Sequence, residues 1–114
     1  MIKSVKILKA AADENRIRIL KMLQHKKGLC VCEIQEILGI GQSTASRHLK
    51  ILEEAELIHY KRDGKWINCY LNNDLKNSEA SDLLKFLSKW LEKEIVVLED
   101  RKKLKSTDRN LICR

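Results

Sequence analysis

No proline interrupts this chain and only four glycines punctuate it, at Gly28, Gly39, Gly41 and Gly64. A sequence so poor in breakers is helical except where those glycines cut it. Val5, Leu8 and Ala12 recur at helical spacing in a first short helix. Asp13 then stands as the N-cap of a second, in which Ile17, Leu20 and Leu23 share a face while Arg16, Arg18 and Lys21 lie off it. Gly28 closes that helix. From Cys32 to Leu38 the apolar residues Ile34, Ile37 and Leu38 fall at i, i+3 and i+4. Gly39-Ile40-Gly41 forces a sharp break, and Ser43 to Glu54 forms another helix with Ala45, Leu49 and Leu52 inward. Residues from about 32 to 55 thus read as helix, tight glycine turn, helix.

Beyond Leu57 the period changes from helical to alternating. LIHYKRDGKWINCYL holds two runs rich in Ile, Tyr and Trp around Asp63-Gly64, the dipeptide of a tight hairpin, so a two-stranded ribbon spans about 57–71. A hairpin alone is marginal in water, so this one packs on the helices. From about 79 to 103 the stripe Leu84, Leu87, Leu91, Ile95 and Leu98, with Trp90 beside it, predicts one long amphipathic helix. The expected fold is therefore mainly α with a small β-hairpin (α+β): a winged helix-turn-helix occupying 1–114 as one domain.

At 114 residues there is no room for a second domain. Hydrophobic residues make up 44% but aromatics only 4%, so the core is aliphatic. A domain this small leaves much apolar surface poorly covered unless a second copy supplies the cover, which favours a homodimer. The last helix, with the first, is the expected dimer interface; the competing reading is that it only covers its own domain. No stretch approaches the roughly 20 apolar residues of a membrane span, and MIKSVKILKAAADENR lacks the features of a signal peptide. A cytoplasmic protein with no membrane partner and four reduced thiols follows.

The net charge of +7 favours a polyanionic partner, yet the excess sits at the two ends. In the proposed reading segment, Glu53, Glu54, Glu56 and Asp63 offset Arg47, Lys50, Lys61, Arg62 and Lys65. The order of elements carries the argument instead. The second helix of a helix-turn-helix enters the major groove with its N-terminal residues toward base edges. Gln42, Ser43, Thr44, Ser46, Arg47 and His48 crowd the exposed faces of that helix start, with Lys50 a turn on. Gln suits adenine, Arg suits guanine, and Ser and Thr suit bases or phosphates. Lys61, Arg62 and Lys65 at the hairpin tip suit the flanking backbone. The bland alternative is a simple Ser/Thr cap and solvated tip charges.

Over about residues 9–72, the runs ADENRIRILKML, LCVCEI and QSTASRHLKILEEAELIHYKRDGKWINCYL resemble the ArsR/SmtB family of metalloid- and metal-responsive repressors. Ser43, Ser46, His48, Leu49 and Leu52 fall on its recognition-helix signature and Arg62-Asp63-Gly64 on its wing. The resemblance implies a homodimeric repressor, with no enzyme activity and no required cofactor. It sits on an inverted repeat in the double-stranded operator of a resistance operon and leaves when inducer binds.

Cys30 and Cys32 lie just before and inside the first helix of the helix-turn-helix. Thiolates are soft ligands, and a helix N-terminus lowers a thiol pKa, which keeps both available at neutral pH. Residues two apart on a regular helix diverge by about 200°, so both sulfurs grip one ion only if the helix start is distorted or extended. Ligation would then strain the element that positions residues 42–48. In the family, this motif senses arsenite and antimonite, and in some members contributes to cadmium or lead sites. A third thiol three residues on is common there; this chain has Gln35, so either two sulfurs suffice or a third comes from elsewhere, with Cys113 on the basic tail, of the same or the other subunit, as the candidate. Cys69 reads as a small half-buried strand residue. The family's zinc site across the last helix lacks imidazoles here, since no histidine follows His59, and Asp82, Glu92 and Glu94 stand without them. His25, His48 and His59 read as surface or DNA-facing singletons. A thiol redox or persulfide sensor is the alternative within the same DNA-binding class. A thiol enzyme is disfavoured, because no histidine shares the cysteine segment.

Overall fold

The computed structural model describes residues 1–72 and 78–112. Helix α1 (Ile2–Ala11) leads into α2 (Glu14–His25); strand β1 (Leu29–Cys30) precedes α3 (Val31–Leu38) and α4 (Gln42–Glu54). Strands β2 (Ile58–Asp63) and β3 (Trp66–Leu71) follow, then α5 (Ser78–Lys89), α6 (Ile95–Ser106) and α7 (Arg109–Ile112). This is the mainly helical winged helix-turn-helix that the sequence predicts.

Local chemistry sets the boundaries. The Asp13 carboxylate accepts the Arg16 amide at 3.0 Å, capping α2 as expected. Gly39 takes the left-handed conformation (φ 67°), and its amide and that of Ile40 both return to the Gln35 carbonyl, ending α3 sharply. Gly64, at φ 61°, lets the hairpin close directly from Asp63 to Trp66, with ladder pairs running back to Ile58 opposite Leu71.

Helix α2 runs through the middle of the core. Ile19 and Leu20 are wholly buried, Met22 and Leu23 nearly so, each such side chain contributing about 1.5–3 kcal/mol relative to exposure. Around them gather Ile34 and Ile37 of α3, Leu49 and Leu52 of α4, Leu84 and Leu87 of α5 and Leu104 of α6. Arg18 clasps Asp100 of α6 with two bonds of 2.9 Å; the carboxylate is 2% exposed, so this pair, unlike a solvated one, is costly to break.

Three features depart from the sequence reading. The sheet has three strands in the order β1-β3-β2, with Leu29 opposite Cys69 and Cys30 opposite Asn68, rather than two. Lys21 does not lie off the buried face: it is 1% exposed, with its ammonium on the Leu87 carbonyl at 2.7 Å and Glu92 at 3.0 Å. That bond helps explain the third departure. Leu87 is where a continuing helix would accept from Leu91, but Lys21 and the Trp90 amide share its carbonyl, and Leu91 turns left-handed at φ 63°. The predicted 79–103 helix is consequently two, α5 and α6, with Glu94 capping the second. In α1, Ile7 and Ala10 face the core while Val5 and Leu8 stay exposed.

Candidate nucleic-acid interface and thiol site

Helix α4 presents two unlike faces. Ala45, Leu49 and Leu52 are buried, whereas Gln42, Ser43, Ser46, Arg47 and Lys50 are exposed and Thr44 partly so. Its N-cap is Gly41, which offers no side-chain acceptor, so the first-turn amides face outward without a side-chain cap. Unsatisfied amides at the positive end of a helix are suited to a phosphate. Ser46 lines a small cavity of ≈190 Å³ with Tyr60 and Ile67, which places the middle of α4 beside the wing strands. Lys61, Arg62 and Lys65 are exposed at and near the hairpin tip, Lys65 Nζ lying 5.0 Å from the Trp66 ring centroid.

His48 departs from the expected exposed set. It is 8% exposed and turned toward α1 and α2, where the Arg16 guanidinium donates to its Nδ1 at 3.1 Å. The same guanidinium donates to the carbonyls of Ala10 and Lys9, at 2.6 and 3.3 Å. Arg16 and His48 thus tie the end of α1 to α4. Burial lowers the His48 pKa, and the charges of Arg16 and Arg47 add to this against the opposing pull of Asp13, so the ring accepts as a neutral imidazole.

At the other end of the motif, Cys30 is the N-cap of α3 in extended conformation (φ −85°, ψ 164°), and Cys32 lies in the first helical turn. Cys30 and Glu33 form a capping box: the Glu33 amide faces the Cys30 sulfur, and the Glu33 carboxylate accepts the Cys30 amide at 3.1 Å. That carboxylate is 1% exposed and also receives Lys26 Nζ at 3.2 Å and Arg109 Nη2 at 2.7 Å. Burial alone would raise its pKa; the Cys30 amide, Lys26 and Arg109 outweigh burial and hold it below the ordinary glutamate value.

The thiol chemistry corrects the sequence reading three times. Cys30 is 4% exposed, and burial, reinforced by the Glu33 charge, pushes its thiol up despite the Glu33 amide and Arg109; the helix terminus does not win. Reduced thiols were expected throughout, yet Cys32 is disulfide-bonded. Cys69 is more buried than half: it donates to the Leu29 carbonyl at 3.1 Å, and burial takes its pKa to about 12. Cys113 lies outside the described residues. Among those described, no three His, Cys, Asp or Glu side chains gather as a metal site. Of the carboxylates set aside earlier, Glu92 pairs with Lys21 and Arg101. No helix among the described residues is long and apolar enough to cross a membrane.

The sequence reading overlooked Glu33, Lys26 and Arg109. A carboxylate three positions after an N-cap is the capping-box spacing, so Glu33 was findable; Arg109, 76 positions away from it, carried no such signal.

Residues 13–60 match the family model described as bacterial regulatory protein, arsR family. The arsenical resistance operon repressor of Bacillus subtilis is 40% identical over 76 residues, 67% of this chain and 72% of that one. The cadmium resistance transcriptional regulatory protein of Listeria innocua is 35% identical over 65 residues, 57% of this chain and 55% of that one. Among solved structures, reduced HlyU from Vibrio cholerae superimposes with a TM-score of 0.65 at 28% identity, covering 80% of this chain and 90% of its own. The homodimeric winged helix-turn-helix DNA-binding domain of a possible ArsR-family regulator from Mycobacterium bovis gives 0.64 at 20% identity, with 82% of each chain covered, a likeness of fold.

Proposed function

Because this chain belongs to the arsR family of bacterial regulatory proteins, which are DNA-binding transcriptional repressors rather than enzymes, we propose that it represses a metalloid-resistance operon and responds to arsenite or antimonite. It acts as a homodimer on an inverted repeat of double-stranded operator DNA. Helix α4 enters the major groove with Gln42, Ser43, Thr44, Ser46, Arg47 and Lys50, and Lys61, Arg62 and Lys65 hold the backbone beside it. His48 contributes by fixing α4 rather than by touching a base. The second copy covers the apolar residues left bare on α1, α5 and α6, among them Leu8 (61% exposed), Phe86 (54%) and Ile95 (71%).

One observation carries the sensing half of this reading: Cys30 and Cys32 flank the first turn of α3, and α3 reaches α4 through only Gly39, Ile40 and Gly41. A soft ion held by both sulfurs requires the Cys32 disulfide to be reduced by a cellular thiol, both thiols to deprotonate, and Cys30 to leave its capping arrangement. The start of α3 moves with it. By linkage, an inducer that binds the DNA-free form about 100-fold more tightly weakens operator binding by the same factor, roughly 2.7 kcal/mol. Cys113 is the candidate third ligand.

The test is a gel shift on the operator under reducing conditions. Cys30→Ser and Cys32→Ser should bind DNA like the unaltered protein and ignore arsenite; release of either variant at the ordinary arsenite dose refutes the sensing role. Titration with antimonite, cadmium, lead and zinc ranks the alternatives, of which cadmium draws support from the Listeria relative. A second reading, repression governed by thiol oxidation, is favoured by the disulfide at Cys32. It predicts that operator affinity changes between reduced and mildly oxidised protein with no metalloid present.

A further inference from the structure

The Glu33 carboxylate is the most heavily engaged buried acid in the molecule's described part, and one of its partners comes from the far end of the chain. Arg109 Nη2 donates to it at 2.7 Å and to the Gly28 carbonyl at 3.3 Å, while the guanidinium lies 5.1 Å from the ring centroid of Trp66 in the wing. Ile112, three residues on, borders a cleft of ≈280 Å³ with Cys32, Gln35, Gly39 and Ile40. Helix α7 therefore touches the thiol segment, the wing and the turn into α4 together. Lys26, the other cation on Glu33, has a side chain 41% exposed and is correspondingly screened; Arg109, at 19%, holds the drier bond.

We infer that Arg109 is a positioning residue: it latches α7 across the amino end of α3 and the wing, and so sets how readily a thiophile reaches Cys30. The inference rests on the function proposed above only in taking Cys30 as the sensing thiol. A helix of four residues has no stability of its own, so its place depends on such contacts. While the latch holds, Glu33 keeps the Cys30 amide and the thiol stays buried. When it opens, Glu33 loses the shorter and drier of its two ion pairs and the first turn of α3 loosens, with no change in covalent structure.

The experiment needs neither metalloid nor DNA, so its failure is distinguishable from failure of the function proposed above. Reduced, desalted full-length protein is treated with iodoacetamide and modification of Cys30 is followed by peptide mass spectrometry. Arg109→Ala should be modified about tenfold faster, the loss expected for one charge-assisted bond in a local opening. Arg109→Lys, which keeps the charge without the planar fork, should fall between, and Trp66→Leu, which removes only the stacking, should be about threefold faster. An Ala variant modified at the unaltered rate, or a Lys variant as fast as Ala, overturns the proposal. If Arg109→Ala does not fold, hydrogen exchange on the unaltered protein decides. Amides of 109–112 and of the α3 first turn should be slowed to a similar degree; rapid exchange of 109–112 beside a protected α3 overturns it.

Discussion

The amino ends of α3, at Val31, and α4, at Gln42, lie eleven positions apart in the chain and differ in nearly everything that matters at a helix start. That of α3 is sealed: a capping box, a buried glutamate, two cations and an aromatic ring account for its polar groups within the protein. That of α4 begins at a glycine with no side-chain cap and shows Gln42 and Ser43 to solvent. A helix start satisfied from within is a place to store a conformation, whereas one left open is a place to receive an anion. In the function proposed above, sensor and reader are thus the same structural element in two states of completion.

Removing the seal should have the largest effect. Glu33→Ala leaves the buried Cys30 amide and the part-buried Arg109 without their acceptor and should cost about 2–3 kcal/mol by chemical denaturation. The same carboxylate gives an acid limb to the stability curve. Its folded pKa lies below the ordinary value, so its contribution is complete above about pH 4.3 and disappears as pH falls through the folded value. Glu33→Gln should flatten that limb, and an unchanged limb would show that the charge is not what matters there. At the open end, Arg47→Ala should lower operator affinity by about 1–3 kcal/mol with stability unchanged. Lys61→Ala or Arg62→Ala should weaken binding to every sequence alike and reduce the slope of log affinity against log salt by about one each. The smallest change sharpens the contrast most. Gly41→Asp closes the open start, so it should gain a few tenths of a kcal/mol in stability and lose about threefold in operator affinity. An increase in affinity would refute the phosphate role of that terminus.

Much of this was legible because local chemistry wrote it. Asp13 capped the helix it preceded, Gly39 stopped α3, and Asp63-Gly64 closed the hairpin, each through interactions spanning only a few residues. What was illegible depended on distance. β1 is two residues long and pairs with a strand 39 or so positions later, too short for any period to register. Lys21 reads as a surface cation until the Leu87 carbonyl and Glu92 are brought beside it. His48 belongs to a polar helix face by spacing, and only Arg16 from another helix turns it inward. In the thiol site the positions were readable but the acidity was not, because burial of Cys30 is a property of the packed molecule.

The break that Lys21 helps impose between α5 and α6 limits the form that the proposed homodimer can take. Each arm is 12 residues, about 18 Å and fewer than two heptads, whereas a supercoiled zipper needs at least three or four in unbroken register. Arms this short cannot be aligned by the phase of a long repeat. Fidelity in that dimer then comes from how closely two short, separate helices fit a second copy.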